Sequence, residues 1–301
     1  MINPAAAERF LMCSPEHFEV SYVINPWMAG NVVDRALAAQ QWTALATLLG
    51  AVATVEHING AAGIPDMVFT ANAGVVLGTA CVLSRFRVAE RQGEEVHFER
   101  WFTSHGFDVL TLPRDLHFEG AGDALLDRYQ SLLWLGYGHR SDPACAPIVA
   151  DWLGIETQPL RLVNDRFYHL DTCFCPLAGG YLLYYPAAFD IVSQAVIESR
   201  VPAGHRIVVT DVDAFAFACN AVNCGRHLFL NKASPTLVDQ LHGYGFEVTQ
   251  TPLTEYLKSG GSAKCLTLKV TETSNERAAL CAGGSRDFAG IPARNDHQLL
   301  A

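Results

Sequence analysis

Ala36-Leu-Ala-Ala-Gln-Gln-Trp-Thr-Ala-Leu-Ala-Thr-Leu-Leu-Gly50-Ala-Val-Ala-Thr-Val-Glu-His-Ile58 passes from helix-compatible apolar spacing, through a glycine, into a β-rich segment. Glycine suits the left-handed position just beyond a helix, so it marks a helix-to-strand junction. The same grammar returns as Gly106-Phe-Asp-Val-Leu-Thr-Leu-Pro113, Gly154-Ile-Glu-Thr-Gln-Pro-Leu-Arg-Leu162, Gly204-His-Arg-Ile-Val-Val-Thr-Asp211 and Gly245-Phe-Glu-Val-Thr-Gln-Thr-Pro-Leu253. These glycines stand 56, 48, 50 and 41 residues apart. Residues 94–105, 144–153 and 235–244 supply the preceding helices; in the fourth unit the helix, 189–200, stops at Val201-Pro202, before its glycine. Between the units lie paired β-like runs: 67–78 with 81–86, the self-paired stretch 125–138, 167–177 with 180–186, and 217–224 with 227–232. Five ββαβ units, none able to bury its own apolar face, close around an axis as a five-bladed α/β propeller. A doubly wound sheet predicts β-α alternation without the extra hairpins, and a Gly-rich phosphate loop that is not found. The propeller is expected over residues 1–270 as one catalytic domain. From Thr271 the chain turns polar and rich in Gly, Ser and Arg, the composition of a loosely held tail, 271–301.

Composition narrows the function classes. The 301 residues are about half hydrophobic and carry 21 Lys+Arg against 31 Asp+Glu, a formal charge of −10. A chain of this length buries a large core, which excludes global disorder and a disulfide miniprotein. The acidic balance argues against nucleic acid or an anionic membrane as partner, since both need clustered Lys/Arg. It suits a small cationic ligand, and a homo-oligomer is compatible with it. Met1-Ile-Asn-Pro-Ala-Ala-Ala-Glu8-Arg9 has no basic region leading into an apolar one, as a signal peptide would. Residues 173–189, the longest weakly charged stretch, are broken by Pro176, Gly179, Gly180 and Pro186, too soon for a membrane span. A cytoplasmic protein is expected. The odd number of cysteines, nine, favours free thiols over a disulfide framework.

Four constellations carry the candidate chemistry. In Gly260-Gly-Ser-Ala-Lys-Cys265, two glycines open onto a strand that begins at a cysteine, and Lys264 is placed to lower that thiol's pKa. Taken alone, Cys265 reads more readily as a small apolar core residue, and only its context argues otherwise. In Phe167-Tyr-His-Leu-Asp-Thr-Cys-Phe-Cys-Pro176, an extended strand would put His169, Asp171, Cys173 and Cys175 on one face, suited to general-base work and cation binding, or to zinc. The zinc alternative lacks a second spaced Cys/His pair, so no metal and no cofactor is expected. Glu119 and Asp123, set among small residues, suit orienting a histidine or gripping a guanidinium, unless they form a surface turn. Asp66 and Asn72 bracket an apolar run with even spacing and would face one way. Arg85 and Arg140 follow β-like runs where they could hold a substrate carboxylate, or could simply be solvated.

Together these motifs resemble the guanidino-group modifying superfamily of amidinotransferases, arginine deiminases, dimethylarginine dimethylaminohydrolases and dihydrolases, over about residues 25–270. The resemblance implies a five-bladed α/β propeller, in agreement with the repeats. It implies a nucleophile at Cys265 in GGSAKC, a general acid and base at His169 in HLDT, and its acidic partner at Glu119 in EGAGD. Asp66 and Asp171 correspond to the carboxylates that grip the guanidinium, and Arg85 and Arg140 to the arginines that bind the amino-acid carboxylate.

One departure bears on the reaction. Deiminases and dimethylargininases carry aspartate where FTAN here places Asn72; the arginine dihydrolase module of arginine dihydrolase/ornithine cyclodeaminase proteins has asparagine. That module is also similar at Asn25-Pro-Trp-Met28 and in the GGSAKCLTLKV end. The resemblance therefore implies hydrolysis of L-arginine to ornithine, ammonia and CO2 through a covalent cysteine adduct, with Asn25 and Asn72 among the substrate contacts. The nearest alternative is a single-step deiminase or dimethylargininase that releases citrulline. A silent arginine-binding protein is disfavoured because Cys265, His169 and Glu119 are all present. The chain ends soon after the module, so the cyclodeaminase partner domain, and with it proline formation, is not expected.

Overall fold

The computed structural model describes residues 8–271. Five three-stranded sheets follow one another around a central channel, forming the five-bladed propeller. Four blades are built alike. A hairpin opens each, a helix follows, and the helix returns the chain to a third strand that runs parallel to the hairpin's second strand. In the second blade Gly74–Leu77 pairs antiparallel with Ala80–Leu83, the helix Glu95–Ser104 intervenes, and Asp108–Thr111 pairs parallel. The parallel pair needs that crossover because a tight turn can join only antiparallel strands. The first blade is assembled from both ends of the described chain: Arg9–Cys13 pairs parallel with Thr54–Ile58 and antiparallel with Leu268–Lys269. Phe10 lies opposite Lys269 and Leu11 opposite Leu268, which closes the ring.

The expected helices form, as Arg35–Gly50, Glu95–Ser104, Cys145–Leu153, Ile191–Arg200 and Pro235–Gly243. Three of the five glycines, Gly106, Gly154 and Gly245, sit at positive φ just beyond their helices. Gly50 ends its helix from within, and Gly204 belongs to a short 3-10 turn, Ala203–His205.

The β-like runs need one systematic correction. Residues 67–73, 167–173 and 217–221 are not strand: the strands begin only at Gly74, Phe174 and Val222. The residues before them fold into tight turns closed by local bonds, such as Asn72 N to Phe69 O (3.1 Å), Thr172 N to His169 O (3.2 Å) and Asn220 N to Phe217 O (3.1 Å). Hydrophobicity cannot separate these turns from strands, because turns buried at the ring's centre are as apolar as the strands they precede.

No helix among the described residues is long and apolar enough to cross a membrane. The expected polar tail, apart from Thr271, lies outside the described residues.

Candidate active site

Each blade hands the chain to the next through a connection that ends immediately before a channel-lining strand. Five such connections, residues 59–73, 112–123, 162–173, 209–221 and 251–267, converge on one end of the ring. They bring together Asp66 and Asn72, Glu119 and Asp123, His169 and Asp171, Asn220, and Ser259 with Cys265. A narrow cleft there is lined by Asn25, Asp66, Asn72, Arg91, Arg140, His169 and Cys265, with Ser259 and the Gly260-Gly261 backbone beside them. The strands themselves line a second cavity further along the channel.

The two glycines Gly260 and Gly261, ahead of Cys265, are required by space. A Cβ on Gly261 would stand 2.3 Å from the Phe69 ring, and one on Gly260, at φ +78, would stand 2.8 Å from the Tyr168 hydroxyl. That hydroxyl donates to Gly260 O at 2.9 Å, fixing the turn that delivers Cys265. Cys265 is buried, with its sulfur 3.4 Å from Asp171 Oδ2 and 3.1 Å from Asn220 Nδ2. Burial, then the Asp171 carboxylate, pushes the thiol well above its ordinary pKa. Lys264 lies in the turn beside it. Its Nζ lies near the carbonyls of Ala121 (3.4 Å) and Thr267 (3.5 Å), it lines the second cavity, and its charge favours the ionised form of Asp171.

His169 stands in extended backbone just ahead of the turn Leu170–Thr172, with Nε2 2.7 Å from Glu119 Oε2. Donation to a carboxylate fixes the proton on Nε2 and leaves Nδ1 as the basic nitrogen. Burial alone would raise Glu119, but Arg140 (Nη1 at 3.4 Å) and the His169 bond outweigh it and lower its pKa to about 2. Glu119 is therefore a permanent anion behind the imidazole, able to stabilise its protonated form. Asp123 works behind both. Its carboxylate accepts from Leu170 N (3.0 Å) and from Ser141 Oγ (2.6 Å), and Ser141 Oγ accepts from Glu119 N (2.9 Å). Burial raises Asp123 to about 6.

Two further carboxylates, Asp66 in the cleft lining and Asp171 beside the Cys265 sulfur, are buried here. Asp66 accepts from Tyr22 (2.9 Å) and Ser259 (3.1 Å) and is raised by burial; burial likewise raises Asp171 to about 6. Asn72 crosses between connections: Oδ1 accepts from Arg91 Nη1 (2.9 Å) and Nδ2 donates to Glu119 O (3.1 Å). Asn25 donates to Ser259 O at 3.1 Å and receives Trp27 N at 2.9 Å, pinning residues 22–28 over the cleft.

Two expectations are corrected. Arg85 does not line the cleft. Its backbone pairs both ways with Phe118, and its charge acts on Glu95. Arg91 takes the place beside Arg140, carried in by the helical turn Ala89–Gln92 and clamped to Glu94 at 2.7 and 2.8 Å. Three arginines within seven residues, 85, 87 and 91, gave spacing no means of choosing among them. The shared face of His169, Asp171, Cys173 and Cys175 also dissolves, because a 3-10 turn replaces the strand. Cys173 Sγ points to Leu170 O (3.5 Å) and Cys175 Sγ to Ala221 O (3.4 Å), and no group of three potential metal ligands forms among the described residues.

Asn220 was missed, though a signal existed. Phe69-Thr-Ala-Asn72-Ala and Phe217-Ala-Cys-Asn220-Ala share Phe-x-x-Asn-Ala, each ahead of a channel strand.

A propeller whose channel mouth holds a buried cysteine, a histidine–glutamate pair and two carboxylates defines the guanidino-modifying class of cysteine enzymes. Within that class the chain belongs to the dimethylarginine dimethylaminohydrolase family: the family profile described as N,N dimethylarginine dimethylhydrolase, eukaryotic, matches residues 29–272. It is 39% identical to the N(G),N(G)-dimethylarginine dimethylaminohydrolase of Mycobacterium tuberculosis, over 87% of this chain and 85% of that one. It is 57% identical to the bifunctional arginine dihydrolase/ornithine cyclodeaminase AgrE of Nostoc sp., over 88% of this chain but only 38% of that protein's length. The crystal structure of the N-terminal domain of ArgZ, a cyanobacterial arginine dihydrolase captured as a cysteine-to-serine variant with its substrate, superposes with a TM-score of 0.88 at 55% identity, covering 89% of this chain and 99% of that one.

Proposed function

We propose that the protein is an arginine dihydrolase, converting L-arginine and two waters to ornithine, two ammonia and CO2. One observation carries the reading: the cleft position between Arg91 and the Glu119 carbonyl holds a carboxamide, Asn72, and not a carboxylate. A carboxamide both donates and accepts, so it can hold a neutral ureido product as well as a cationic guanidinium. The identity to AgrE and ArgZ supports the same choice.

The chemistry follows from the groups in place. Asp66 and Asp171 hold the guanidinium, and its positive charge beside the sulfur offsets the field that keeps Cys265 protonated. Cys265 gives up its proton to His169 Nδ1 as the sulfur attacks the guanidinium carbon, the resulting imidazolium delivers that proton to the departing ammonia, and an amidino-thioester adduct remains. His169 Nδ1 then takes a proton from water, Glu119 stabilises the imidazolium, and hydrolysis returns thiolate and citrulline. A second attack, on the ureido carbon, expels the second ammonia; hydrolysis of the resulting thiocarbamate releases ornithine and CO2. Arg91 and Arg140, the two arginines of the cleft, are assigned to the amino-acid carboxylate. Each step is supplied by side chains of this chain, and buried thiols such as Cys13, Cys81 and Cys219 suit the cytoplasm.

The family profile favours a second reading, single-step release of citrulline. Incubation with arginine, followed by amino-acid analysis and ammonia determination, decides between them: ornithine with about two ammonia per arginine supports the dihydrolase, from its two hydrolytic steps. Stoichiometric citrulline refutes it. Cys265→Ser, folded as judged by circular dichroism, is expected to do neither, because a hydroxyl is a far weaker nucleophile than a thiolate.

A further inference from the structure

Asn220 stands directly against the nucleophile. It closes a turn in which Phe217, at φ +62, is the one non-glycine residue with positive φ among the described residues. Such strain persists only where the surroundings enforce it, and here the Trp27 ring packs on Phe217 at 4.9 Å between centroids. The strained turn presents the fully buried Asn220 side chain to three atoms: Nδ2 donates to Asp171 O (3.0 Å) and to Cys265 Sγ (3.1 Å), and Oδ1 accepts from Cys265 N (3.2 Å). These partners fix the amide's orientation. A carbonyl can only accept and a backbone N–H can only donate, so a flipped carboxamide would oppose acceptor to acceptor and donor to donor. An N–H therefore points at the sulfur.

We propose that Asn220 is a catalytic residue of this enzyme, the hydrogen-bond donor that stabilises the Cys265 thiolate, both before attack and when the sulfur departs from each adduct. The inference rests on Cys265 being the nucleophile of the function proposed above. Asp171 grips the cation at the cost of repelling a thiolate 3.4 Å away, and the neutral donor on the other side of the sulfur opposes that repulsion without adding charge. A donor to an ionised acceptor moves the acceptor's pKa by about one to two units. Removing it lowers the thiolate fraction at fixed pH about tenfold to a hundredfold, and the greater nucleophilicity of the more basic sulfur recovers about half of that on a logarithmic scale.

The test is alkylation by iodoacetamide at fixed pH, with modification of the Cys265 peptide followed by mass spectrometry in wild type, Asn220→Asp and Asn220→Ser. The rate constant is expected to fall roughly three- to tenfold in Asn220→Ser and further in Asn220→Asp, which adds a like charge. A purely structural clamp predicts the opposite, since loosening the turn exposes the thiol and speeds its reaction. An unchanged or faster rate in a folded variant overturns the proposal. Should neither variant fold, wild type labelled with 15N-asparagine keeps it testable: an Asn220 side-chain amide proton is expected to shift when Cys265 is alkylated, and an unmoved pair overturns it. None of these measurements uses arginine, so an absence of arginine turnover would strike the dihydrolase reading separately.

Discussion

Replacing Asn72 by aspartate changes one heavy atom and is expected to change the product of the proposed reaction. Asn72 Oδ1 accepts from Arg91 at 2.9 Å and Nδ2 donates to Glu119 O at 3.1 Å. In Asn72→Asp the first contact survives, whereas the second sets two acceptors against each other, in a cleft that already holds Asp66 and has the Glu119 and Asp171 carboxylates buried behind His169 and Cys265. Arg91 offers little compensation, because Glu94 already engages it through two bonds. Of the two Nδ2 hydrogens one is committed to Glu119 and the other remains for a ureido oxygen; a carboxylate has neither. Loss of one hydrogen bond to the neutral product is worth about 1–1.5 kcal/mol, or roughly a tenfold faster release relative to the second attack. The cationic substrate does not suffer the same loss, since a carboxylate pairs with it more strongly than an amide does. Time courses of arginine, citrulline, ornithine and ammonia are therefore expected to show the citrulline-to-ornithine ratio rising about tenfold in the variant, with KM for arginine unchanged or lower. A folded variant that keeps the wild-type product ratio would refute the argument that the amide retains the ureido intermediate.

The remaining predictions concern neighbouring groups. Arg140→Ala is expected to raise KM for arginine far more than for agmatine, which lacks the carboxylate, while Arg85→Ala affects the two substrates alike; discrimination by Arg85 would return it to the site. Because burial raises Asp171 to about 6, it is protonated below that pH and loses its grip on the cation. The kcat/KM profile should therefore fall about tenfold per unit on the acid side, and the kcat limb should lie lower because bound guanidinium favours the carboxylate; a flat profile to about pH 5 would contradict this. A Cβ on Gly122 would stand 2.1 Å from Asn72 Nδ2 and 3.5 Å from His169 Cγ, so Gly122→Ala should depress turnover by at least tenfold through displaced side chains, with a loss of stability of about 1–3 kcal/mol in urea titration. Wild-type kinetics in that variant would mean that the turn relaxes freely.

The sequence by itself was sufficient for the architecture, because a propeller is a repeat and repetition is a linear property. Helix, glycine, strand and hairpin recur at comparable spacing from residue 36 to residue 253, and the ring needed only its closure, supplied by Arg9–Cys13 against Leu268–Lys269. The cysteine, the histidine and its glutamate that the ring brings together were also legible, since Cys265 and Glu119 sit in motifs of unusual local composition: two glycines before Cys265, and small residues after Glu119.

Tertiary structure decided which side chains point inward. Arg91 and not Arg85 reaches the cleft because one helical turn, Ala89–Gln92, redirects the chain after the backbone of Arg85 has paired with Phe118. Sequence distance carries no record of such a change in direction. The site residues also lie in turns where a period-of-two reading expected strands, because burial at the centre of the ring erases the polar marking by which turns are ordinarily known. Asn220 shows both limits at once. Its repeat with Asn72 is written in the sequence, but its contact with Cys265 joins residues 45 positions apart across two blades, and only closure of the ring brings an amide N–H against that sulfur.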